Sequence, residues 1–163
     1  MIQVKTQTDF TFYIQVIDNK IGDTPQQWIA YLFKFTNDMS GEITYCYQNA
    51  PKPNITNRYG EFTFKASPTT DVYNGQIHLE PSGYYKYEVF QVDWYDVTNP
   101  NISFGFAPVT EFDILLPASG AKGVVMGLVT KGKMLVSDIP TTKQVTYNQH
   151  PSPSGTNYIW SGQ

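Results

Sequence analysis

The segment Leu79-Glu-Pro-Ser-Gly-Tyr-Tyr-Lys-Tyr-Glu-Val89 constrains the fold of this chain more than any other stretch. Leu79 is followed four residues later by Gly83, and Tyr85, Tyr87 and Val89 then recur at every second position. A period of two is the mark of a strand with one buried face, and the proline and glycine before it mark a tight change of direction. The spacing predicts a short strand over residues 76–80, a corner, and a longer strand over 84–94.

The rest of the chain reads in the same way. Residues 10–17 set Phe10, Phe12, Ile14 and Val16 against Thr11, Tyr13, Gln15 and Ile17. Residues 28–36 are apolar on both faces, Ile29/Tyr31/Phe33/Phe35 and Trp28/Ala30/Leu32/Lys34, which predicts a central strand covered on both sides over much of its length. Residues 37–41 form a hairpin connection into a strand at 43–47, and 59–66 alternate Phe62 and Phe64 against Glu61, Thr63 and Lys65. Residues 49–57 read as a loop, because Pro51 and Pro53 cannot donate to a ladder. The apolar run 123–129 and the run 134–136 read as two strands around a Lys131-Gly132 turn, with Gly127 at a bulge or a close backbone approach. Aromatic residues make up 15% of the chain, including 12 Tyr and 10 Phe, and flat rings pack well on a pleated surface. The fold class is all-β, in one domain over residues 1–146.

Two segments fall outside this pattern. Residues 93–122 form a long connection with two short apolar pieces, 102–106 (including Phe104 and Phe106) and 112–116, and long connections are usually functional or carry structure of their own. Residues 147–163, with Pro151 and Pro153, form an extended C-terminal arm with an apolar tip at Tyr158, Ile159 and Trp160. An exposed cluster of that kind is costly to leave in water, so Tyr158, Ile159, Trp160, Phe104 and Phe106 are the candidate partner-binding residues.

Chemistry is sparse by comparison. The net charge is −3, the pI is near 5.2, and Arg58 is the single arginine, which argues against a protein that neutralises many phosphates. The single cysteine, Cys46, lies in a strand-like run with no basic neighbour and reads as a small buried hydrophobe. His78 and His150 stand in unrelated contexts, and no zinc spacing, serine elbow or phosphate loop occurs. Asp93, Asp96 and Glu111 flank the long connection and Asp18 and Asp23 bracket a turn; none has calcium-loop spacing, so all read as solvated loop acids. No catalytic, cofactor or metal residues are therefore expected. The N-terminus lacks the basic and apolar segments of a signal peptide, and no apolar run reaches membrane-spanning length. Tyr45, Tyr47, Tyr59 and Tyr73 lie near predicted loops, where exposed rings stack on sugar faces.

Residues 79–89 resemble the E–F corner of an immunoglobulin-like antiparallel β-sandwich. The resemblance implies that the Tyr85 hydroxyl folds back onto the preceding turn, and that 93–122 is an F–G insertion. It also implies that Tyr87 stands where antibody domains carry the second cysteine of the core disulfide, so that this core holds by packing alone. Together with Gly127-Leu-Val-x-x-Gly-Lys-Met-Leu-Val136, the segment is similar to virion structural proteins of tailed bacteriophages, in particular crAss-like phages of Bacteroidetes. That resemblance covers roughly residues 75–136. It implies a non-catalytic part of a virion assembled in the host cytoplasm, most simply an auxiliary capsid protein. Its partners would be the major capsid protein or other virion proteins, with a homo-oligomer on the particle and neither nucleic acid nor membrane. A carbohydrate- or receptor-binding adhesion module is the alternative.

Overall fold

The computed structural model describes residues 1–48, 54–56, 59–94, 107–113 and 123–138. The strands are β1 (Ile2–Lys5), β2 (Phe10–Gln15), β3 (Ile29–Asn37), β4 (Ile43–Tyr47), β5 (Asn54–Thr56), β6 (Tyr59–Ala66), β7 (Gln76–Ile77), β8 (Gly83–Trp94) and β9 (Gly123–Ser137). A 3-10 turn at Gln26–Trp28 is the one helical element among the described residues. Five strands form a sheet in the order β1-β9-β8-β3-β4; β2, β6 and β5 form the second, with β7 beside the end of β6. Pairing is antiparallel except for β1 with β9 and β6 with β7. This is an immunoglobulin-like sandwich, with β2–β6 in the places of strands B and E and β3-β8-β9 in those of C, F and G.

The alternating residues read from the sequence meet between the sheets. Phe12, Phe62 and Phe64 from one sheet pack against Phe33, Phe35 and Tyr31 from the other. Phe33 makes edge-on contacts with Phe62 and Phe64 at ring distances of 4.9 and 5.0 Å, and Phe12 lies 6.2 Å from Tyr87. Edge-to-face pairs of this kind add about 0.5–1.5 kcal/mol each beyond the area they bury. This aromatic cluster spans the two sheets where antibody domains place a disulfide.

The corner has the predicted geometry. Tyr85 is 3% exposed, and its hydroxyl donates to the carbonyl of Pro81 at 2.8 Å, across a turn that contains the cis Glu80–Pro81 bond. Asn37 Nδ2, from the last residue of β3, donates to the same carbonyl at 3.3 Å.

Three sequence expectations are corrected. β9 is a single strand of 15 residues rather than two strands around Lys131-Gly132. Gly132 has ordinary strand geometry and pairs with Tyr87; a Cβ there would lie 2.5 Å from the Tyr87 hydroxyl oxygen, so the glycine makes room for a ring. The expected bulge is present, and doubled. Register shifts between Val89/Phe90 and between Gln91/Val92 leave Val129 and Met126 as extra residues on β9, with Gly127 between them at φ 148°.

Second, residues 76–80 supply only the two-residue β7, and the strand in the place of E is β6. Third, β5 lies inside the segment read as a loop. It starts immediately after Pro53, so neither proline has to donate to the ladder with β6.

β3 is buried on both faces over its first half, as its sequence requires. Its odd-numbered residues face the second sheet. Ala30 and Leu32 face outward, where they form a second core with Tyr47, Val92 and Ala107. Ala107 belongs to the β8–β9 insertion, and its position there leads to the functional surface.

Candidate functional site: an insertion clamped to the outer face

Residues 107–113 of the insertion lie against the outer face of the five-stranded sheet, held by side chains from three places in the chain. Tyr47 on β4 donates its hydroxyl to the Pro108 carbonyl at 2.7 Å, and Tyr73 donates to the Ala107 carbonyl at 3.3 Å. The two rings stack, with centroids 6.2 Å apart and planes 12° from parallel. Lys34 on β3 pairs with the Glu111 carboxylate, which also accepts the Tyr45 hydroxyl, and Glu88 lies 3.6 Å from the same ammonium. Cross-strand register explains the convergence, since Lys34 is opposite both Tyr45 and Glu88 and all three point outward.

The segment also braces itself. The Asp113 carboxylate accepts the backbone N–H groups of Val109 at 2.7 Å and Thr110 at 3.0 Å, and the Thr110 hydroxyl at 2.9 Å. Such side chain-to-backbone bonds hold a loop in one conformation without a ladder.

The electrostatics keep every charge in place. Burial alone would raise the Glu111 pKa, but the bonds from Lys34 and Tyr45 outweigh it and hold the carboxyl below its ordinary value. Burial alone would lower Lys34, and the facing Glu111 and Glu88 carboxylates raise it instead. The Tyr45 phenol is pushed up, first by burial and then by Glu111, and Tyr47 is raised by burial. For Asp113, burial is again outweighed by its bonds, chiefly from the Thr110 and Val109 amides, and the net direction is down. The cluster therefore holds Lys34 protonated, Glu111 and Asp113 ionised and the phenols protonated at neutral pH. None of these is a poised base or nucleophile, and what the arrangement does is fix a loop.

On that support two apolar side chains face solvent: Val109, and Phe112 at 79% exposure. A phenylalanine this open, on a segment tied down on either side of it, is the sort of rigid aromatic anchor that recurs at protein interfaces.

The remaining candidates separate. Glu111 and Asp93 are not solvated loop acids. The Glu111 side chain is 9% exposed inside the clamp, and Asp93 is 1% exposed. Asp93 accepts Thr24 Oγ1 at 2.5 Å and Gln91 Nε2 at 2.8 Å, while the Gln91 amide bonds the backbone N–H and carbonyl of Ile21. That network plugs the 17–24 turn onto the end of β8. Asp18 and Asp23 are exposed, as expected.

Cys46 is fully buried and its thiol is pushed up by burial, in keeping with a packing role. Of the four tyrosines considered for sugar stacking, Tyr45, Tyr47 and Tyr73 are bound into the clamp, and only Tyr59 is exposed. No group of three or more His, Cys, Asp or Glu placed to hold a metal occurs among the described residues. Phe104, Phe106, Asp96, Tyr158, Ile159 and Trp160, and with them the C-terminal arm, lie outside the described residues.

Sequence reasoning missed the clamp because its members are up to 77 residues apart. The available signal was the two-sided apolar pattern of β3, which required something to cover the outer face. Fold and site together define an immunoglobulin-like β-sandwich with an insertion clamped to the outer face of its larger sheet. The chain matches no protein-family model, no curated protein sequence and no solved structure.

Proposed function

We propose that this chain is a non-enzymatic structural component of a bacteriophage virion, an auxiliary capsid protein that binds the shell and stabilises it. The observation that carries the reading is the clamp: polar bonds and a partly buried ion pair are spent on holding a loop whose outward product is an exposed phenylalanine. A surface of that kind serves contact with another protein. The virion setting rests on the resemblance of residues 75–136 to phage structural proteins. The Tyr85 corner is consistent with that resemblance, whereas the Lys131-Gly132 turn it implied is replaced by a continuous strand. Binding only to the assembled shell stabilises it by mass action, and Phe104, Phe106, Tyr158, Ile159 and Trp160 would extend the contact beyond Phe112.

The test is the copy number in purified particles and its dependence on Phe112. Decoration requires a stoichiometry locked to the major capsid protein, and Phe112→Ser should weaken shell binding by roughly tenfold or more while leaving the melting temperature unchanged. A few copies per particle, or full binding by the serine variant, would sink the reading.

A second reading, a carbohydrate- or receptor-binding module, has one observation in its favour. Tyr13 and Tyr59 are both exposed on the solvent face of the smaller sheet, at diagonal positions across the β2–β6 ladder. A glycan array with no binder would remove it.

A further inference from the structure

A groove of about 490 Å³ opens beside the Tyr85 corner, between the β1–β2 turn, the end of β6 and residues 77–80. Its floor is apolar, with Phe10, Ile77 and Leu79. Its rim is polar: Gln7, at a left-handed φ of 55°, donates to Glu80 Oε1 at 3.3 Å, and His78 Nδ1 lies 3.2 Å from the Ser67 carbonyl. We propose that this groove stores the chain's own Tyr158-Ile159-Trp160 cluster until the protein meets its partner.

The last described residues, Ser137 and Asp138, lie at the rim of the groove. The Ser137 carbonyl accepts the N–H of Thr6, which lines the groove, at 2.9 Å, and Asp138 accepts the hydroxyl of Ser82 at 3.0 Å. The 19 residues 139–157 then separate that point from Tyr158. As a random coil a tether of this length would have a root-mean-square span of roughly 24 Å, long enough to return to a groove at its own base and short enough to keep the effective concentration there high.

Charge and backbone chemistry agree with this occupant. Residues 144–163 contain no Asp, Glu, Lys or Arg, so the rim charges Lys5 and Glu80 meet no like charge in the arm. Pro151 and Pro153 lack a backbone N–H, so the arm brings two fewer donors that an apolar groove would leave unpaired. Tyr and Trp each combine an apolar ring for the floor with a donor for a polar rim. Storage removes from water a cluster that is otherwise costly to expose. An intramolecular occupant is favoured over a second copy because its effective concentration, in the millimolar range, exceeds micromolar protein. The inference concerns the free chain and does not depend on the identity of the shell.

The experiment uses the full chain with the photo-crosslinking residue p-benzoylphenylalanine in place of Trp160, irradiated at low micromolar concentration as a mixture of ¹⁴N and ¹⁵N copies. Crosslinks to peptides containing residues 66–68 or 77–80, each carrying a single isotope label, are expected. Thr8→Trp, at an exposed position on the groove wall, should reduce their yield at least tenfold without altering the circular dichroism spectrum. Crosslinks joining the two labels would assign the groove to a second copy and overturn the proposal. Crosslinks elsewhere, or no crosslink above the photolysis background, would overturn it too.

Discussion

Replacing Tyr85 with phenylalanine removes one oxygen from the corner and nothing else. The ring is 3% exposed and stays packed, so no cavity larger than a hydroxyl forms. What is lost is the 2.8 Å bond to the Pro81 carbonyl. That carbonyl keeps Asn37 Nδ2 at 3.3 Å as a donor, so it is not left unsatisfied and its full desolvation penalty is not incurred. The expected cost is that of one neutral hydrogen bond, about 1 kcal/mol within a range of 0.5–1.5. For a chain of this size that is a fall of about 2–4 °C in Tm. In urea, with a slope of about 2 kcal/mol/M, it is a midpoint shift of about 0.5 M at unchanged slope. Equilibrium urea unfolding followed by circular dichroism measures it, with Tyr84→Phe as the control, since Tyr84 precedes it on β8 and is exposed. If Y85F shifts the midpoint no more than Y84F does, the corner bond contributes nothing and its place in the fold has been misjudged.

Two further substitutions test other parts of the structure. Gly132→Ala should destabilise by about 1–3 kcal/mol, because its Cβ would meet the buried Tyr87 ring; a turn or open strand position would instead gain up to about 1 kcal/mol, so the sign of the urea shift decides. Glu111→Ala should free residues 107–113 at a local cost of about 1–3 kcal/mol, below that of a fully buried pair because Lys34 retains some exposure, and hydrogen exchange of the Val109 and Thr110 amides reports it. The clamp should also depend on pH with a definite sign. Glu111 and Asp113 both have folded pKa values below their unfolded ones, so their contribution is complete above the unfolded values near 4.5 and 3.8 and is lost as pH falls through the folded values. Protection factors at those amides should fall on acidification below pH 4.5 in the native chain, and the double variant Glu111→Gln, Asp113→Asn should flatten that dependence. Equal protection of the native chain at pH 7 and at pH 3 would contradict the assignment.

The inter-sheet core was legible in the sequence because it depends on periodicity alone. Phe10 to Val16, Tyr59 to Ala66 and Tyr85 to Val89 each display a period of two, and each places the predicted face inward. β9 was misread because glycine has two uses that a sequence does not separate. Gly132 has the neighbours of a turn residue, and its reason for being glycine, the Tyr87 ring, lies on another strand. The clamp was hidden for a related cause. Lys34, Tyr45, Tyr47, Tyr73 and Glu111 look unremarkable one at a time, and only the register of β3, β4 and β8 brings them to one place. Asp93 and Glu111 look like solvated loop acids in the sequence because most of their donors are distant: Thr24 as well as the neighbouring Gln91 for Asp93, and Lys34 and Tyr45 for Glu111.

The two extra residues on β9 divide the insertion from the strand in a way that bears on how such a chain varies. Between Gly123 and Thr130, β9 spans eight residues against six on β8, and the surplus sets which side of the ribbon each later side chain occupies. One residue added or removed there would reverse the alternation beyond it and turn Val129 out of the core, because the period of a strand is two. One residue added between Trp94 and Gly123 changes no register at all. Length variation among chains of this design should therefore collect in the loop and spare the strand that carries it, so that contact surfaces diversify while the frame beneath them keeps count.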